Sequence, residues 1–125
     1  MAVAGPMSMF SVLGLDLERT DRIGEGAASR VAHPQERRFW GGDQSRASVL
    51  FSLKEAFYKA QYPRWGLQAG FGDMALEVDM AGGSARIAFL ADHLSEGMTG
   101  AGRGDFRFRF ALAGSHVMSL CWVPA

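Results

Sequence analysis

Residues Ser45 to Gln61 read SRASVLFSLKEAFYKAQ, and their spacing decides the fold class. Val49, Leu50, Leu53, Ala56, Phe57 and Ala60 recur at steps of three and four, so the segment is a helix with one buried face. Tyr62-Pro63 is expected to end it. Downstream the period changes to two. Met74, Leu76, Val78 and Met80 alternate with Ala75, Glu77 and Asp79, and Gly82-Gly83 turns the chain into a second strand, Ser84 to Leu90. Phe106, Phe108 and Phe110 alternate with Arg107 and Arg109 in a half-exposed strand, and Gly114-Ser115 leads into a last one, His116 to Val123. The glycine-rich stretch Asp92 to Gly104 reads as a loop.

Upstream of the helix, Ala2 to Ala4 forms a short apolar stub ending at the turn Gly5-Pro6. Phe10 to Glu18 reads as a strand carrying Val12, Leu13, Leu15 and Leu17. Ala27, Ala28, Val31 and Ala32 mark one face of a short helix, and Pro34 opens another over Gln35 to Trp40. Gly41-Gly42-Asp43 breaks it. Helices followed by an antiparallel sheet make an α+β fold, helices packed on a small sheet.

Composition bounds the rest. The chain has 125 residues, which suits one domain over 1–125. Its 13 basic and 13 acidic side chains cancel, so there is no bulk electrostatic case for nucleic acid or an anionic membrane. One cysteine, Cys121, rules out an internal disulfide and a Cys-based zinc site, and a cytoplasmic setting is the expectation. No apolar run is long enough to span a membrane.

Two polar clusters carry chemistry. Asp16 and Glu18, two apart on an apolar strand, project from the same face, where like charges repel. On the residues alone the pair is either a solvated strand end or a seat for a divalent cation, which carboxylates hold while leaving positions for water and phosphate. Glu55 and Lys59, four apart on the helix, are either an ordinary surface pair or part of the same site, with Lys54 beside them. His33, His93 and His116 lack metal-ligand spacing, and Gly100 to Gly104 lacks the lysine and hydroxyl of a phosphate loop. Ser115-His116 would point to opposite faces of a strand and so fails as a nucleophile–base pair. Cys121 reads as core.

Gly14-Leu15-Asp16-Leu17-Glu18 followed, after residues 19–50, by Phe51-Ser52-Leu53-Lys54-Glu55-Ala56-Phe57-Tyr58-Lys59 resembles the paired signature of 4′-phosphopantetheinyl transferases. Every fixed position of G-[ILV]-D-[ILV]-E and of [FW]-S-x-K-E-[AS]-x-x-K is filled. Tyr62-Pro63 and Phe71-Gly72-Asp73 are similar to the surfactin- and enterobactin-synthetase-activating branch. The resemblance implies transfer of the phosphopantetheine arm of coenzyme A to a serine of an acyl or peptidyl carrier protein, releasing 3′,5′-ADP. It implies Mg²⁺ on Asp16, Glu18 and Glu55, with Glu55 taking the serine proton. Lys59 would contact phosphates, and Lys54 would assist at the transferring group.

Members of that branch resemble two fused halves, with the metal motif in the second. Asp16 lies near the amino end here, so the expectation is a carboxyl-terminal half that works as a homo-oligomer or with a separate amino-terminal half, or else a non-catalytic half that binds Mg²⁺ or carrier protein. Small holo-acyl-carrier-protein synthases are the competing comparison. They match this length, but they place the second acid three residues after the first and carry a Ser-His motif that Gly114-Ser115-His116 echoes loosely.

Overall fold

The computed structural model describes residues 10–125; the stub at Ala2 to Ala4 and the Gly5-Pro6 turn lie outside the described residues. In chain order the elements are β1 (Phe10–Arg19), α1 (Glu25–Val31), a 3-10 turn (Pro34–Glu36), α2 (Arg37–Trp40), α3 (Gln44–Trp65), β2 (Met74–Asp79), β3 (Ser84–Leu90), α4 (Asp92–Gly97), β4 (Arg107–Ala113) and β5 (His116–Pro124). The strands form one five-stranded sheet in the order β1-β5-β4-β3-β2, antiparallel throughout. The α+β expectation holds. The first and last strands pair directly, Asp16 opposite Ser119 and Glu18 opposite Val117, so the sheet is closed from both ends of the sequence rather than built after the helices.

α3 is the central element, and it differs from the sequence expectation in two ways. It is buried around most of its circumference, including Ser48, Ser52, Lys54 and Gln61. The sheet packs on one side, while a second cluster of Ile23, Ala28 and Ala47 with Trp40 and Phe51 covers the other. The helix also runs through Pro63 to Trp65. A proline in the last turn deletes only one amide donor, and the chain is instead turned by Gly66 at φ 64, a left-handed conformation that glycine takes without strain. The buried Gln61 amide then fixes the turn, accepting from Leu67 N (3.2 Å) and donating to Leu67 O (2.6 Å).

The stretch expected as a loop, Asp92 to Gly104, contains α4 and the start of a 3-10 turn at Arg103–Asp105. Leu94 and Met98 from this region are fully buried, which is why it orders. Trp65 anchors it, donating its indole N–H to Thr99 O (3.1 Å) and packing on Phe106. Cys121 is buried in the core, and burial pushes its thiol well above the ordinary range. Among the described residues no helix is long and apolar enough to cross a membrane.

Candidate metal and phosphate site

β1 lies directly against the backbone of α3. A Cβ placed on Gly14 would fall 2.1 Å from Ala56 O and 2.5 Å from Ala60 N, so only glycine permits this approach. Two residues on, the same inward face of β1 presents Asp16, and one helical turn along α3 stands Lys59. Its ammonium donates to Asp16 Oδ1 at 2.9 Å. The Asp16 side chain is 2% exposed and the Lys59 side chain 51%, so a buried carboxylate is reached by a cation that still faces water.

The other carboxylates gather at the same place. Burial pushes the Glu18 carboxyl up and the neighbouring Asp16 pushes it further, while Arg22 pulls against them and Glu55 adds the smallest push. Burial likewise raises Glu55, the Asp16 charge adds to it, and Lys59 works against it. The hydrogen bond to Asp16 raises Lys59, with all three acids adding to the effect. Asp16, Glu18, Glu55 and Lys59 therefore lie close enough to influence one another's charge.

The donor set suits a hard divalent cation. Its acids offer only carboxylate oxygens, and Asp16 Oδ2 is buried with no hydrogen-bond partner, across the strand pair from Ser119, whose hydroxyl is likewise unpaired. Among the described residues, however, no three His, Cys, Asp or Glu side chains are placed together so that they could hold a metal ion. One Asp16 oxygen is instead met by the Lys59 ammonium.

Lys54 is not brought into this unit. Its ammonium is buried and spends its three donors on Glu36 Oε1 (2.6 Å), Val31 O (2.9 Å) and Phe71 O (2.8 Å). Through these bonds Lys54 ties α3 to the segments before and after it, while it also lines the hollow beside Glu55. Burial lowers its proton affinity, and Glu36 holds it up.

Glu36 is a residue that the sequence analysis did not single out. It is fully buried, accepts from His33 N (2.8 Å) and Leu76 N (2.6 Å), and pairs with Lys54. The available signal was local. Pro34 one residue after His33, with an acid at the third position, is the pattern of a capped turn, and the His33 ring does accept from Gln35 N. Gly114-Ser115 forms the expected turn into β5, but Ser115 and His116 do not point to opposite faces as two strand residues would. Ser115 lies in the turn, not the strand, and its hydroxyl meets His116 Nδ1 at 3.2 Å. Glu55 lines a hollow of about 230 Å³ with Lys54, Tyr58, Gly70, Phe71 and Met74.

Residues 12–119 match the family described as ACPS, the 4′-phosphopantetheinyl transferase superfamily. The 4′-phosphopantetheinyl transferase Svp of Streptomyces mobaraensis is 34% identical over 84 residues, covering 62% of this chain and 34% of Svp. The match thus spans about a third of the length of that curated relative. Among solved structures, the holo-[acyl-carrier-protein] synthase of Neisseria meningitidis superposes with a TM-score of 0.71 at 21% identity, covering 92% of this chain and 98% of that one. The Helicobacter pylori synthase solved in complex with coenzyme A gives 0.68 at 16% identity, covering 90% and 99%. At such identities the two structures establish a shared fold. The sequence match over residues 12–119 goes further: the chain belongs to the 4′-phosphopantetheinyl transferase superfamily.

Proposed function

We propose that the chain transfers 4′-phosphopantetheine from coenzyme A to a serine of an acyl or peptidyl carrier protein, releasing 3′,5′-ADP, in a Mg²⁺-dependent reaction. The observation that carries this reading is the meeting of Asp16, Glu18, Glu55 and Lys59 at the β1–α3 contact, in a member of this superfamily. Asp16, Glu18 and Glu55 would hold the cation, which when bound offsets charge on the pyrophosphate. Glu55 takes the serine proton on a carboxylate oxygen whose proton affinity is already raised, and it lines the hollow through which a hydroxyl can approach. Lys59, half exposed and held by Asp16, presents a compact positive charge to the phosphates. Lys54 and Glu36 act at a distance, fixing the helix that carries Glu55.

The test incubates the purified chain with an apo carrier protein, coenzyme A and Mg²⁺. A mass gain on the carrier serine that disappears in Glu55→Ala and on chelation supports the proposal; no gain at any protein concentration overturns it for this chain by itself.

A second reading is that the site works only with another copy or a separate amino-terminal half, as in the surfactin-activating branch. It draws on the short span of Svp that is matched and on Leu17, 57% exposed next to Asp16. Activity that rises steeply with protein concentration, or on adding such a half, supports it. A cytoplasmic setting belongs to the same proposal and rests on the single, buried Cys121.

A further inference from the structure

The sheet contains a second polar feature remote from Asp16. The ladder between β3 and β4 extends only through Ser84↔Arg109 and Ala85↔Phe108, where β4 begins, while β3 continues to Leu90. A cleft of about 610 Å³ opens there, and the side chains around it include Arg86, Arg103, Arg107, Arg109, Glu77 and Trp122. Four guanidiniums thus face one carboxylate in a chain whose net charge is zero.

The single acid is already used, since Glu77 pairs with Arg86 across the β2–β3 ladder (2.7 Å). The others have only carbonyl partners: Arg103 donates to Ala88 O (2.8 Å), Arg107 to Gly104 O (3.3 Å) and Arg109 to Gly82 O (3.3 Å). Among the described residues no carboxylate lies within ion-pair distance of these three. Each guanidinium carries five N–H donors, so most remain free. Arg107 and Arg109 alternate along β4 and project from one face, with Trp122 directly opposite Arg107 and Ser84 opposite Arg109.

We propose that this cleft binds a small phosphate-bearing anion, separately from the carboxylate site on β1 and α3. Clustered like charges in a concavity repel one another and focus a positive potential, which an anion relieves. Planar guanidinium forks match the tetrahedral oxygens of a phosphate, and the volume is that of a small-molecule site rather than of a protein face. The Ser84 hydroxyl supplies a neutral donor, and Trp122 gives a ring of the ligand a surface to pack on.

The experiment titrates the full chain, without Mg²⁺, with inorganic pyrophosphate and separately with 3′,5′-ADP, following backbone amide and indole resonances. Saturable shifts at Ser84, Arg107, Arg109 and Trp122 support the proposal; tighter binding of the nucleotide identifies a ligand with a ring, and equal binding a bare phosphate. In the double variant Arg107→Ala/Arg109→Ala, both exposed positions, affinity should fall at least about tenfold, in keeping with the loss of charge-assisted bonds. The double variant should also unfold at a higher temperature than the parent in low salt without anion, because repulsion is removed. Shifts confined to residues near Asp16 and Lys59 overturn the proposal while leaving the transferase reading intact. So do cleft shifts that survive in the double variant, and so does a polyglutamate peptide saturating the cleft where both phosphates fail.

Discussion

Glycine 14 shows how one residue places a whole site. With a Cβ 2.1 Å from a helix carbonyl, Gly14→Ala must push β1 away from α3. We expect a loss of at least about 1–3 kcal/mol, the usual penalty of overpacking, read by urea denaturation. Movement of β1 also draws Asp16 from Lys59, so any transfer activity should drop by more than the folded fraction. At the buried ion pair, Lys54→Ala leaves Glu36 charged and uncompensated. A cost of about 3–5 kcal/mol is expected. The paired replacement Lys54→Met/Glu36→Gln should recover much of it, because the buried charge is gone; equal losses in the single and double variants would refute the pairing.

At the scale of elements, the carboxylates of β1 and α3 make stability depend on pH. The folded chain holds Glu18 and Glu55 above their ordinary value of 4.5, so it binds more protons than the unfolded chain. For a raised carboxyl, stability is therefore fully present below 4.5 and declines as pH rises from there through the folded values. Melting temperatures of the metal-free protein between pH 4 and 8 should show this fall through the acidic range. Glu18→Gln should flatten it. A flat parent profile would mean the acids do not interact. The end of α3 depends on another contact. Gln61→Ala strips both partners from the Leu67 backbone, and a loss of about 1–3 kcal/mol follows if those groups stay dry.

For the molecule as a whole, the sheet joins β1 at one edge to β5, and the carboxylates sit where that edge meets the central helix. Under the proposed function, a cation bound there would tie three separate carboxylates to the folded state alone. Mg²⁺ at a hundred times its dissociation constant should add about 2.7 kcal/mol. A thermal shift that appears with Mg²⁺, grows from pH 5 to 8 as the acids ionise, and vanishes in Asp16→Asn is the expected result.

Much of this was legible in the residues alone. The period of three and four marked α3 and the period of two marked β2, because each pattern follows from local geometry, whereas spacing alone left Asp16, Glu18, Glu55 and Lys59 open to an ordinary surface reading and only the resemblance of their two motifs singled them out. Glu36 and Lys54 were not legible. A buried ion pair looks like surface charge until the chain is folded around it, since its partner and its dryness come from segments distant in sequence. The same is true of the helix that continues past Pro63 and of α4, whose order comes from burying Leu94 and Met98 rather than from their own propensity. What the sequence by itself determined was which residues could do chemistry and on which elements they lie. Only the tertiary structure decided that Lys59 reaches Asp16 while Lys54 turns away, because the close approach of β1 to α3 at Gly14 sets which face of the helix the carboxylates meet.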